Sequence, residues 1–125
     1  MNKEKIYIFD TTLRDGAQTQ GVDFSIDDKH KISISLDALG VDYVEGGWPG
    51  ANPTDTEFFN KDHNFKNSKL TAFGMTKKTE HSAKNDPMLS SLINSKSSSI
   101  CLFGKSWDFQ VNVALGITNE QNLEN

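Results

Sequence analysis

Short apolar runs and longer amphipathic stretches alternate along the chain in a regular order. KIYIF, Lys5 to Phe9, is rich in β-formers and ends at Asp10, which predicts a strand. Ser25 followed by Asp28 predicts a capping box, because each short polar side chain can satisfy a backbone amide of the first helical turn. The helix behind it carries a stripe of Ile26, Lys29 or His30, Ile32, Leu36 and Leu39, with Gly40 placed to end it in a left-handed conformation.

The alternation then repeats. VDYVE (Val41 to Glu45) predicts a second strand, GGWPGANP a loop, and Thr54 the cap of a short helix through Glu57, Phe58 and Phe59. KLTAFGM (Lys69 to Met75) predicts a third strand, followed by a helix near Met88 to Asn94. SSICLF (Ser98 to Phe103) predicts a fourth, followed by the loop GKSWD and helical residues from Phe109 to Leu115. The patch SKSSS before the fourth strand reads as a solvated turn.

Strands recurring every ~30 residues match the length of one strand-helix unit joined by a right-handed crossover. The fold class is therefore α/β with a parallel sheet. Two architectures fit: the N-terminal half of a (β/α)₈ barrel, whose complete set takes ~250 residues, and a small doubly wound, flavodoxin-like sheet. Thr118 with Gln121 predicts a further capping box, and the sequence stops at Asn125 before a helix of ~12 residues could follow. The half-barrel is the expectation, with residues 1–125 as the first part of a longer catalytic domain.

Length and charge narrow the classes of partner. The chain has 125 residues and a formal net charge of −4 without blocks of one sign, so neither nucleic acid nor an anionic membrane is expected as partner. MNKEKIYIFD has too short an apolar run for a secretory leader, and no run approaches the ~20 residues of a membrane span, so a cytoplasmic protein is expected. The single cysteine, Cys101, lies in an apolar run and is expected to be a buried, inert thiol. His30, His63 and His81 are not paired at metal-ligand spacing and are expected to face solvent. There is neither a GxxxxGK[ST] phosphate loop nor a GxGxxG.

Ligands of parallel α/β folds bind at the carboxyl ends of the strands, which directs attention to the loops after Phe9, Glu45, Met75 and Phe103. The first loop, FDTTLRDGAQTQG, holds Arg14, the one arginine in a chain with twelve lysines. Where a positive charge alone suffices this sequence uses lysine, so Arg14 points to the planar fork of a guanidinium, which grips a carboxylate or polarised carbonyl bidentately. An ion pair between the loop and the barrel floor is the plainer reading. Asp15 either neutralises Arg14 or offers a hard oxygen ligand to a divalent cation. Glu45 ends an otherwise apolar strand, a costly place for a carboxylate unless it meets a cation or a polar pocket.

DTTLRDGAQ, with Lys29 following Gln18, resembles the LR[DE]GxQ...K signature of the acyl-CoA-condensing synthases of the pyruvate carboxyltransferase, or HMG-CoA lyase-like, superfamily. VDYVEGGWPGANP, AFGMTKK and FGKSWDFQV are similar to the citramalate synthase branch of that family, and the resemblance runs the length of the chain. It implies a TIM barrel and condensation of acetyl-CoA with pyruvate on the route to isoleucine. Sibling enzymes of the family use other 2-keto acids to make 2-isopropylmalate or homocitrate; a non-catalytic anion-binding module is the alternative from another class.

By the same resemblance, Arg14 binds the keto oxygen and Asp15 ligates a divalent metal, Mg²⁺, Mn²⁺ or Zn²⁺, while Gln18 and Glu45 line the keto-acid pocket. The resemblance also implies that the full-length enzyme is a homodimer. Met75, Lys77 and Lys78 depart from the serine and arginines usual there, and the HxH metal ligands of the family have no counterpart in these 125 residues. The chain alone is accordingly expected to be inactive.

Overall fold

The computed structural model describes residues 4–125; residues 1–3, part of the stretch read for a leader, lie outside them. Four parallel strands form one sheet: β1 (Phe9–Asp10), β2 (Tyr43–Gly47), β3 (Lys69–Met75) and β4 (Ser99–Phe103), in the spatial order of the sequence. The register sets Phe9 beside Tyr43, Val44 beside Leu70 and Ala72 beside Ile100. Three helices return the chain between strands: α1 (Ile26–Leu39), α2 (Pro53–Asn60) and α3 (Pro87–Asn94).

All three helices cover the same face. Val44, Leu70 and Ala72 point into a core completed by Phe58 and Phe59 of α2, Leu92 of α3 and the partly buried Ile32 and Leu36 of α1. A doubly wound sheet has helices on both faces and reverses its strand order; sequential order with one covered face is the arrangement of half a barrel. The opposite face carries Tyr43, Glu45, Thr71, Phe73 and Cys101 by strict alternation. There Thr71 and Ser99 share a hydroxyl hydrogen bond of 2.6 Å across β3 and β4.

β3 has the predicted bounds, and the capping boxes at Ser25/Asp28 and Thr118/Gln121 both form, the second opening a helix over Asn119–Glu124. Gly40 ends α1 at φ 86°. Elsewhere the pattern misleads. β1 is only two residues long; Ile8 precedes it, accepting from the amides of Asp42 and Tyr43 at 3.1 and 3.0 Å, while Asp42 takes the Ile8 amide at 2.8 Å. Asn52, not Thr54, caps α2, its side chain accepting from the Asp55 amide at 2.8 Å, because Pro53 fills the first helical position. The segment after β4 is a helical turn at Asp108–Gln110 that widens to a π-turn over Val111–Leu115.

The inner face of α1 differs most. Its buried residues are Lys29, Ser33 and Asp37, whereas Leu39 is 77% exposed. Each polar group is satisfied: Asp37 accepts from the amides of Lys66, Asn67 and Ser68, fastening the approach to β3. Burial raises the Asp37 pKa, but those amides outweigh it and hold it below the usual carboxylate range.

Asp86 does the same for α3. It accepts from the Met88 and Leu89 amides at 2.9 and 3.0 Å, from the Lys78 amide at 2.9 Å, and meets His81 at 3.3 Å. Burial works against the charged form, yet these donors lower its pKa to about 2. A carboxyl depressed from its unfolded value near 3.9 contributes stability that is complete above that value and disappears as pH falls through the folded one, a loss of about 2 kcal/mol here. Urea midpoints at pH 5 and pH 2.5 should therefore differ more for the native protein than for Asp86→Asn. Equal differences would show that Asp86 carries no such linkage.

Candidate active site

The first loop is shaped by its own backbone. Asp10 accepts from the Thr12 amide at 3.0 Å, the Thr11 carbonyl accepts from the amides of Arg14, Asp15 and Gly16, and a single 3₁₀ turn over Gly16–Gln18 follows. Leu13, fully buried, anchors the loop in the core. Its neighbour Arg14 is thereby turned over the carboxyl ends of the strands.

There Arg14 Nε donates to Glu45 Oε2 at 2.8 Å and Nη1 donates to Asp15 Oδ1 at 3.2 Å. The guanidinium carbon lies 4.1 Å from the centre of the Phe73 ring, so β3 supplies an aromatic floor. A guanidinium has five N–H donors, and among the described residues no partner takes the Nη2 pair. Glu45 is 1% exposed, which is sustainable because a charge-assisted bond meets it. Cys101 stands beside Glu45 on β4 and is half-buried rather than buried; burial first, then the Glu45 carboxylate, pushes its thiol pKa up, in keeping with an inert thiol.

A cavity of about 770 Å³ opens over this group, lined by Arg14, Gln18, Trp48, Phe73, Met75 and Lys105 among others. That is within the range of small-molecule sites. Of the residues singled out from sequence, Arg14 and Gln18 line the cavity, Glu45 lies behind Arg14, and the Asp15 side chain is 63% exposed beside it. Phe73 and Trp48, in edge-to-face contact at 5.4 Å, were not foreseen as its walls. The alternation of side chains along a strand is the signal that would have pointed Phe73 to this face.

Asp15 is chemically suited to one place in the coordination shell of a hard divalent cation, since among the described residues its Oδ2 has no hydrogen-bond donor. No cluster of three His, Cys, Asp or Glu able to hold a metal ion occurs among the described residues. The histidines stand apart from the cavity. All three are half-buried rather than solvent-facing: His81 meets Asp86, and His63 lies between Phe58 and Phe65, 5.8 Å from His30. Burial, and then the neighbouring His30, lowers the His63 pKa against the pull of the Phe58 carbonyl.

Residues 5–125 match the HMGL-like family. The chain is 52% identical over 122 residues to the (R)-citramalate synthase of Aquifex aeolicus, covering 96% of this chain and 23% of that protein. It is 47% identical over 126 residues to the (R)-citramalate synthase of Sulfolobus acidocaldarius, covering 99% and 24%. With 2-isopropylmalate synthase 1 of Caldanaerobacter subterraneus the identity is 34% over 125 residues, covering 99% and 30%. The chain thus spans about a quarter of the length of the citramalate synthases it matches. No helix among the described residues is long and apolar enough to cross a membrane.

Proposed function

Because the chain belongs to the HMGL-like family, we propose that it supplies the first part of an active site that condenses acetyl-CoA with pyruvate to give citramalate and coenzyme A. The observation that carries this reading is Arg14. Its guanidinium is fixed by Glu45 and Phe73, while among the described residues the two Nη2 donors meet no protein acceptor. Such a fork suits a 2-keto acid, which presents a carboxylate and a keto oxygen side by side.

In the reaction, a base outside the described residues takes a methyl proton from acetyl-CoA, and the resulting enolate carbon attacks C2 of pyruvate. The C=O electron pair moves onto the keto oxygen, where Arg14 stabilises the developing charge until that oxygen takes up a proton and becomes a hydroxyl. Water then cleaves the thioester and releases coenzyme A. Glu45 keeps Arg14 from rotating, and Gln18 borders the keto-acid pocket. A divalent metal, with Asp15 among its ligands, supplies Lewis-acid polarisation of the keto oxygen when bound.

Residues 1–125 are, in this reading, part of a pyruvate carboxyltransferase-type barrel domain of a cytoplasmic homodimer. With one suitable metal ligand, the 125 residues alone are expected to hold the metal weakly and to release no coenzyme A. The keto acid is chosen by side-chain space, and the bulky Trp48, Phe73 and Phe103 around the cavity favour a small substrate. Offered pyruvate, 2-ketoisovalerate and 2-ketoglutarate with acetyl-CoA, the full-length protein that carries this chain should release coenzyme A fastest with pyruvate. Preference for 2-ketoisovalerate would assign 2-isopropylmalate synthesis instead.

A further inference from the structure

Lys29 is 3% exposed, although it lies on a helix whose outer face is open to water. Its ammonium uses all three donors: the Leu13 carbonyl at 2.9 Å, the Gly46 carbonyl at 2.9 Å and the Asp55 carboxylate. Leu13 immediately precedes Arg14, and Gly46 immediately follows Glu45. One cation therefore ties together the two backbone segments that bring Arg14 and Glu45 within 2.8 Å.

Asp55 extends the tie. Besides Lys29 it accepts from the Trp48 amide at 2.8 Å and the Asn52 side chain at 2.9 Å, so the turn after β2 is held to the start of α2. The strand has been shaped around it: the β2–β3 register slips between Glu45 and Gly47, and Gly47 has φ 143°. A Cβ on Gly47 would lie 2.5 Å from Asp55 Cγ, so only glycine admits the carboxylate here.

We propose that Lys29, seated on Asp55, is a positioning residue that sets the alignment of the Arg14 fork with its Glu45 partner, rather than a core ion pair that only stabilises the fold. The proposal rests on the reading of Arg14 as the keto-acid ligand for its catalytic consequence, but its geometric content stands independently. Misplacement of a substrate-orienting group by ~1 Å is enough to lose about 10²-fold in rate.

The test is Lys29→Met/Asp55→Asn in the full-length protein, since Lys29→Met alone leaves the Asp55 carboxylate without its cation and is expected to lower stability by that alone. The asparagine oxygen retains the Trp48 amide bond, so the melting temperature should recover well above that of Lys29→Met. Turnover with pyruvate should nevertheless remain about 10²-fold down. The Arg14 Nε–H resonance, read after ¹⁵N-arginine labelling and assigned by its loss in Arg14→Lys, should shift from its native position. Turnover that returns with the melting temperature, or an unmoved resonance, would overturn the proposal. If the native protein turns over no 2-keto acid, the functional reading fails, and the resonance still decides: displaced, it supports Lys29 as the positioning group; unmoved, it refutes it.

Discussion

Arg14→Lys is expected to lower kcat and kcat/KM for pyruvate together, by about 10²- to 10³-fold, in the full-length protein that carries this chain. That is the loss seen when one donor to a developing oxyanion is removed, ~3–4 kcal/mol of transition-state stabilisation. The substitution preserves the charge and discards the fork, so it separates the two readings of this lone arginine. Lysine could still pair with Glu45, yet it cannot donate to Glu45, to Asp15 and to a keto acid in one plane while lying flat on Phe73. A fall of less than fivefold would mean that charge alone suffices and that Arg14 serves the loop's structure.

Asp55→Ala should destabilise the fold by about 3–5 kcal/mol, the magnitude for removing one member of a buried ion pair. Lys29 would keep its two carbonyl partners but lose its anion, and the Trp48 amide would lose its acceptor. Urea denaturation measures this directly. A loss under ~1 kcal/mol would show that water or the carbonyls compensate Lys29 and that Asp55 is dispensable.

Much of the frame could be read locally. β3 is a nearly continuous apolar run between polar turns, and the Ser25/Asp28 box needs only residues three apart, so both were visible in one window of sequence. Arg14 and Glu45 were also singled out, one by composition and one by its cost at a strand end, and the fold joins them across 31 positions. What stayed hidden is nonlocal. The helical stripe left Lys29 or His30 open for the inner face, and polarity places aspartate outside; Lys29 and Asp37 are buried because carbonyls and amides from distant loops meet them. Phe73 lies under Arg14 only because β3 sits one strand beyond β2, a neighbour relation that spacing alone leaves open. The short β1 has the same cause in reverse: its propensity extends back to Lys5, but the sheet offers a partner only from Ile8 onward.

Whether the Arg14 fork held by Glu45 and Phe73 receives the keto acid can be seen in a crystal structure of the full-length protein soaked with pyruvate. Pyruvate is expected in the cavity above Phe73, with its keto oxygen within ~3 Å of an Arg14 Nη atom and the Arg14–Glu45 bond intact. Pyruvate bound elsewhere, or bound in the cavity with Arg14 turned away from it, would show that Arg14 is not the keto-acid ligand.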